Sequence, residues 1–213
     1  MRVALVLGSG GARGYAHIGI IDELKARGHE IVTIAGTSMG ALIGGLEAAG
    51  KLQDFTEWAT TLSQLDVWRR LDFTLTGAGL VKAEKVFGEM NPLIGDVRIE
   101  DLPIPYTAVA ADITVQREVW FQRGPLASAI RASIAIPSVI TPVTMGDHIL
   151  VDGGLCNPVP VEPTLSVSSD VPIAVSLAGR PLVITADDVT TADNVVDVGD
   201  EEGKMTFVQR LPF

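Results

Sequence analysis

Gly36-Thr37-Ser38-Met39-Gly40 follows directly on the apolar, β-branched run Ile31 to Ala35 and leads into the helix-forming residues Met39 to Ala49. Strand, tight turn and helix with a serine at the apex is an arrangement that presents a nucleophilic hydroxyl, with the positive end of the helix beneath it. Gly36 and Gly40 flank the apex because side chains there would collide across a sharp bend. Five residues of this pattern also occur by chance, so Ser38 needs a partner to make chemistry of it. A serine hydroxyl becomes a nucleophile only when a base takes its proton. Asp152, followed by Gly153 and Gly154 at the end of a strand-like run, is the stronger candidate. An aspartate in hydrogen-bond reach and partly dry surroundings is basic enough for this. Asp-Gly is also a common turn pair, which is the plainer reading of the same residues. His148 lies four positions before Asp152, on the same face of a strand, and is the weaker alternative base. His17 falls on the first helix, where local packing or hydrogen bonding accounts for it.

The third chemical element is the loop Gly8-Ser9-Gly10-Gly11-Ala12-Arg13-Gly14, between a first strand and a first helix. One meaning of such a loop is a dinucleotide cradle, but Arg13 stands where that pattern wants its third glycine. The acidic residue expected about twenty positions on is replaced by the Gly36-Thr37-Ser38 turn. The other meaning is an oxyanion hole, in which bare backbone N–H groups face the oxygen that turns negative during acyl transfer.

These residues need a sheet to hold them. Val3 to Leu7 reads as a buried strand, Tyr15 to Arg27 as a helix stopped by Gly28, and the Ser38 unit follows. Strand–helix–strand–helix at this spacing predicts right-handed crossovers and a mainly parallel sheet covered by helices on both sides. The glycine loop, Ser38 and Asp152 then all fall at strand ends, where open parallel sheets bind ligands. Leu52, Phe55, Ala59, Leu62 and Leu65 recur at helical spacing with Trp58 and Trp68 nearby, which reads first as core packing. Lys82 to Met90 suggests a short helix, Tyr106 to Ala111 and Glu118 to Gln122 strands, and Pro125 to Ile136 a proline-bracketed helix. Val143 to Val151 reads as a hairpin turning at Gly146-Asp147, and Pro172 to Leu177 as a last buried strand. Asp72 to Leu80 has no period and reads either as a packed surface loop or as a lid carrying Phe73, Leu75 and Leu80.

At 213 residues the chain is long enough for one full core, and 47% hydrophobic with 20% charged residues marks it as globular. A formal net charge of −10 argues against nucleic acid as a partner and against simple attraction to an anionic bilayer. A single cysteine, Cys156, allows no internal disulfide, and no apolar stretch is long enough to span a bilayer. The expected setting is cytoplasmic, with at most transient contact at a membrane surface. The three histidines His17, His29 and His148 make no metal-ligand pattern, so neither metal nor cofactor is expected.

Taken together, Gly10-Gly11-Ala12-Arg13-Gly14, Gly36-Thr37-Ser38-Met39-Gly40 and Asp152-Gly153-Gly154 resemble, in order, the three signatures of the patatin-like phospholipases. The text A-I-R-A-S-I-A-I-P at 129–137 and L-V-D-G-G-L-C-N-P-V-P-V at 150–161 is similar to the bacterial branch, and the resemblance runs from Val3 to about Leu177. It implies a three-layer α/β/α hydrolase that cleaves acyl esters of lipids with a Ser–Asp dyad, without histidine or calcium. Ser38 would be the nucleophile, Asp152 the base, and Gly10, Gly11 and Arg13 the oxyanion loop. Ser9 departs from the usual glycine triple. The hydrolase domain is expected over 1–178, with 179–213 an acidic segment, partly disordered or cut short relative to the family. Two rivals remain: a lipid-binding or regulatory protein on the same fold, and a nucleotide-binding α/β domain.

Overall fold

The computed structural model describes residues 1–61, 88 and 90–179. The Asp72–Leu80 loop with Phe73, Leu75 and Leu80, the positions Leu62, Leu65 and Trp68, and the acidic segment from Arg180 lie outside the described residues. So does most of the Lys82–Met90 helix. The chain divides into two units, Met1–Leu177 and Ala178–Phe213, and the sheet with its helices belongs to the first.

Among the described residues, seven strands form one sheet: β1 (Arg2–Leu7), β2 (Glu30–Thr37), β3 (Tyr106–Asp112), β4 (Arg117–Phe121), β5 (Val143–Met145), β6 (His148–Asp152) and β7 (Val171–Val175). β7, β1, β2 and β3 run parallel side by side, while β4, β5 and β6 pair antiparallel at the β3 end. Flanking the sheet are helices α1 (Ala16–Ala26), α2 (Met39–Ala48), α3 (Leu52–Thr61) and α4 (Leu126–Ser133). This is the mixed α/β architecture that the strand–helix alternation predicts.

β1 lies between β2 and β7, and Val3, Leu5, Val6 and Leu7 have no exposed surface. Each such side chain contributes roughly 1.5–3 kcal/mol by leaving water. α2 is buried along its whole length, an unusual state for a helix of a small domain. Its small residues make this possible, since a Cβ on Gly44 would lie 2.7 Å from Ile34 and one on Gly45 3.0 Å from Ile130. The charge it carries, Glu47, is neutralised by Lys25 Nζ at 2.5 Å. Phe55 of α3 is buried against Tyr15 and Trp58, so Trp58 packs on the core as the helical spacing suggests.

Several boundaries differ from expectation for local reasons. The glycine loop continues into a 3-10 turn over Gly11–Tyr15, so α1 starts at Ala16. β2 extends through Gly36 to Thr37 because both residues stay in register with β3. α4 stops at Ser133 rather than Ile136, because the next residues leave the helix and Ala135 offers its carbonyl to the Asp152 N–H at 2.9 Å.

The elbow helix is set tightly on β1. A Cβ on Gly40 would fall inside contact distance of the Leu7 carbonyl, which is backbone and cannot yield. In contrast, a Cβ on Gly19 of α1 would meet nothing within 4 Å. Gly40→Ala is therefore expected to lose more than about 3 kcal/mol in urea unfolding, above the usual cost of overpacking. Gly19→Ala should gain roughly 0.5–1 kcal/mol. Similar effects at both positions would contradict this packing.

Candidate active site

Ser38 closes β2 at φ 57° and ψ −124°, a region that residues with a side chain avoid. Its carbonyl starts α2 by accepting from the Ala41 and Leu42 N–H groups at 2.9 and 3.1 Å. A side chain on Gly36 would run into the Gly40 backbone, and one on Gly40 into β1, so the flanking glycines are demanded by contact. Ser38 is only 4% exposed.

Ser38 Oγ donates to Asp152 Oδ2 at 2.6 Å, and the other carboxylate oxygen, Oδ1, accepts from the Gly154 N–H at 2.7 Å. The sheet register explains how two residues 114 positions apart meet. Ala108 of β3 faces Gly36 on one side and Phe121 on the other, while Ala110 faces Asp152 and Val119. β4 runs continuously along one edge of β3, so β2 and β6 share the opposite edge. β2 advances as far as Thr37, opposite Val109, and β6 comes the other way as far as Asp152, opposite Ala110. The two strands end head to head on adjacent rungs, and Ser38 and Asp152 are the residues at that junction. Asp152 thus arrives on an antiparallel strand, not at the carboxyl edge of a parallel one. Gly153 follows with no room for a side chain, since its Cβ would strike the Val109 carbonyl.

Asp152 is 7% exposed, and burial pushes its carboxyl above the usual range; the bonds from Ser38 and Gly154 pull the other way without cancelling the rise. It is a dry and comparatively basic carboxylate in contact with a hydroxyl.

The glycine loop packs against the same elbow. A Cβ on Gly14 would strike Met39, and one on Gly154 would lie 3.2 Å from Ser9 Oγ. Gly8 and Ser9 donate their N–H groups to the Val175 and Pro158 carbonyls at 2.9 and 2.8 Å, and Arg13 donates to the Gly10 carbonyl at 3.2 Å. Among the described residues the Gly10 and Gly11 N–H groups have no acceptor. Gly11 sits at φ 53°, where a side chain would be strained. Thr37 Oγ1 donates to the Asn157 carbonyl at 2.9 Å, tying the elbow to the loop after Gly154.

The histidines lie apart from this chemistry. His17 is fully buried and bonds through Nε2 to the Gly8 carbonyl at 2.8 Å, and burial lowers its basicity. His148 is at the exposed start of β6 and pairs with Asp112 at 2.5 Å. Ser133 is a residue that motif reading passes over: its hydroxyl accepts from the Ser38 N–H at 2.9 Å and donates to the Val109 carbonyl at 2.6 Å. The available signal is a serine between Ala132 and Ile134 in the stretch A-I-R-A-S-I-A-I-P, four residues before Pro137. Among the described residues, no group of His, Cys, Asp and Glu is arranged to hold a metal ion, and no helix is long and apolar enough to cross a membrane.

Comparison with known proteins agrees with the signatures. A patatin-like phospholipase family model matches residues 5–165. An uncharacterised NTE family protein of Mycobacterium bovis is 55% identical over 178 residues, covering 84% of this chain and 49% of the relative. The patatin-like phospholipase domain-containing protein 6 of Mus musculus is 31% identical over 185 residues, covering 84% of this chain and 14% of that protein. The fold is similar to that of VipD from Legionella pneumophila at a TM-score of 0.50 and 13% identity, over 80% of this chain and 48% of that one. The chain thus spans about half the length of that Mycobacterium bovis relative. With the family model spanning most of the chain and the three glycine signatures meeting at one junction, the chain belongs to the patatin-like phospholipase family.

Proposed function

We propose that this chain is a serine hydrolase that cleaves acyl esters of lipids through a Ser38–Asp152 dyad and an acyl-enzyme. The observation that carries the reading is the 2.6 Å bond from Ser38 Oγ to a buried carboxylate with a raised pKa. In the first half-reaction Ser38 Oγ attacks the ester carbonyl carbon while its proton passes to Asp152 Oδ2. The free N–H groups of Gly10 and Gly11 hold the oxyanion of the tetrahedral intermediate, whereas the Arg13 N–H, expected beside them, is engaged by the Gly10 carbonyl. Collapse breaks the bond to the alcohol, which leaves with the proton from Asp152. In the second half-reaction a water gives its proton to Asp152 and attacks the acyl carbon, and Ser38 recovers its proton as the acid departs. Oδ1 stays tied to the Gly154 N–H throughout, so Oδ2 remains aimed at Ser38. The family match supports a lipid ester as substrate.

Proton transfer through Asp152 makes the reaction sensitive to pH. Asp152 works as a base only when ionised, and its pKa is raised in the folded state, so turnover falls as pH drops through that raised value. For folding the sign is opposite: the fold disfavours the ionised form, so stability declines as pH rises from the ordinary aspartate range through the raised pKa.

Hydrolysis of p-nitrophenyl esters tests the dyad. Ser38→Ala and Asp152→Asn should each lose roughly a hundred- to ten-thousand-fold in turnover, whereas His148→Ala keeps most of it. Asp152→Asn should also melt no lower than the unmodified protein at pH 7, with any advantage shrinking as pH falls towards the ordinary aspartate range. A His148→Ala protein as inactive as Asp152→Asn would replace the dyad with a triad.

The oxyanion loop carries its own expectation. Gly11→Val forces a side chain at positive φ and displaces the free N–H, so turnover should fall by the equivalent of about 3 kcal/mol, with KM little altered. Unchanged turnover in a folded variant would put the oxyanion elsewhere.

A further inference from the structure

We propose that Ser133 is a positioning residue that holds Ser38 in its reactive conformation by replacing a missing rung of the sheet. This role rests on the Ser38–Asp152 dyad proposed above. β2 and β3 pair in register up to Thr37 opposite Val109. At the next residue the chain turns into the elbow, so the Ser38 N–H leaves the ladder and no longer reaches β3. The Ser133 hydroxyl fills that gap, accepting from the Ser38 N–H at 2.9 Å and donating to the Val109 carbonyl at 2.6 Å. Both of its hydrogen-bonding roles are used, and the side chain has no exposed surface.

The location matters as much as the bonds. Ser133 is the last residue of α4, and two residues on, the Ala135 carbonyl accepts from the Asp152 N–H at 2.9 Å. One short stretch of backbone therefore grips the nucleophile through a side chain and the base through a carbonyl. Ser38 sits at φ 57°, a conformation that its surroundings must impose. Without the hydroxyl, the buried Ser38 N–H loses its acceptor and the Val109 carbonyl loses this donor. The elbow is then free to relax, and Ser38 Oγ moves out of line with Asp152 while the sheet and the glycine loop stay in place. A misplacement of about 1 Å costs on the order of a hundredfold in rate. The loss belongs in turnover and not in substrate binding.

Ser133→Ala tests this, with active sites counted by burst titration so that misfolded protein does not enter the rate. Turnover per titrated site should fall about ten- to a hundredfold with KM within about twofold. Labelling of Ser38 by a fluorophosphonate should slow by the same factor. Ser133→Cys keeps a weak donor and acceptor of similar size; it should give an intermediate rate, and it serves if the alanine variant does not fold. A purely structural role would lower the melting temperature or the number of titratable sites while leaving turnover per site unchanged, and that result overturns the proposal. Ser38→Ala in the same assay separates the two readings. If it stays active the dyad fails, whereas an inactive Ser38→Ala beside a fully active Ser133 variant sinks only the role of Ser133.

Discussion

Two strands cannot occupy the same rung of a neighbour's edge, and the site depends on that exclusion. Along one edge of β3, β2 ends opposite Val109 and β6 ends opposite Ala110, so their chain ends must meet. Each strand has to turn away at once, and each does so where a side chain beyond Cα is forbidden, at Gly36 and Gly40 on one side and Gly153 on the other. Ser38 and Asp152 are what remains at the junction. Their 2.6 Å bond is fixed by strand register, which is set by the whole hydrophobic core, and not by a flexible loop. The buried helix α2 and the small residues that let it sink onto the sheet serve the same end, because they anchor the residue that follows Ser38.

The junction also supports the proposed dyad, in which an aspartate acts without a histidine between it and the serine. A carboxylate in water is a poor base, but Asp152 is nearly dry and its pKa is raised, which narrows the gap to the serine hydroxyl. The bonds from Ser38 and Gly154 oppose that rise without cancelling it. His17 and His148 contribute elsewhere. His17 braces the start of the glycine loop through the Gly8 carbonyl, and His148 pairs with Asp112 on the far part of β6. Neither has a bond to the dyad.

Much of this was legible in the sequence because its signals are local. A serine between two obligatory glycines after an apolar run specifies an elbow, and Gly146-Asp147 between β5 and β6 specifies a hairpin whichever sheet it joins. Asp152 stood out because two glycines follow it at a strand end. The direction of β6 was not legible, since a strand reads the same whether it pairs parallel or antiparallel, and its pairing is settled by β3, far away along the chain. Ser133 was hidden for a similar reason: within the helix it looks like a small filler residue, and its partners Ser38 and Val109 are 95 and 24 positions distant. The early end of α4 follows from the Asp152 N–H claiming the Ala135 carbonyl, a tertiary bond that no helix-end signal announces.

The most direct test of the central claim is the rate at which a fluorophosphonate labels Ser38, measured against pH in the unmodified protein and in Asp152→Asn. The unmodified protein is expected to lose labelling on the acid side through a single ionisation above the ordinary aspartate range. The asparagine variant should react slowly and without that acid limb. Labelling of Asp152→Asn at the unmodified rate, or an acid limb that persists in it and disappears in His148→Ala, would contradict the Ser38–Asp152 dyad.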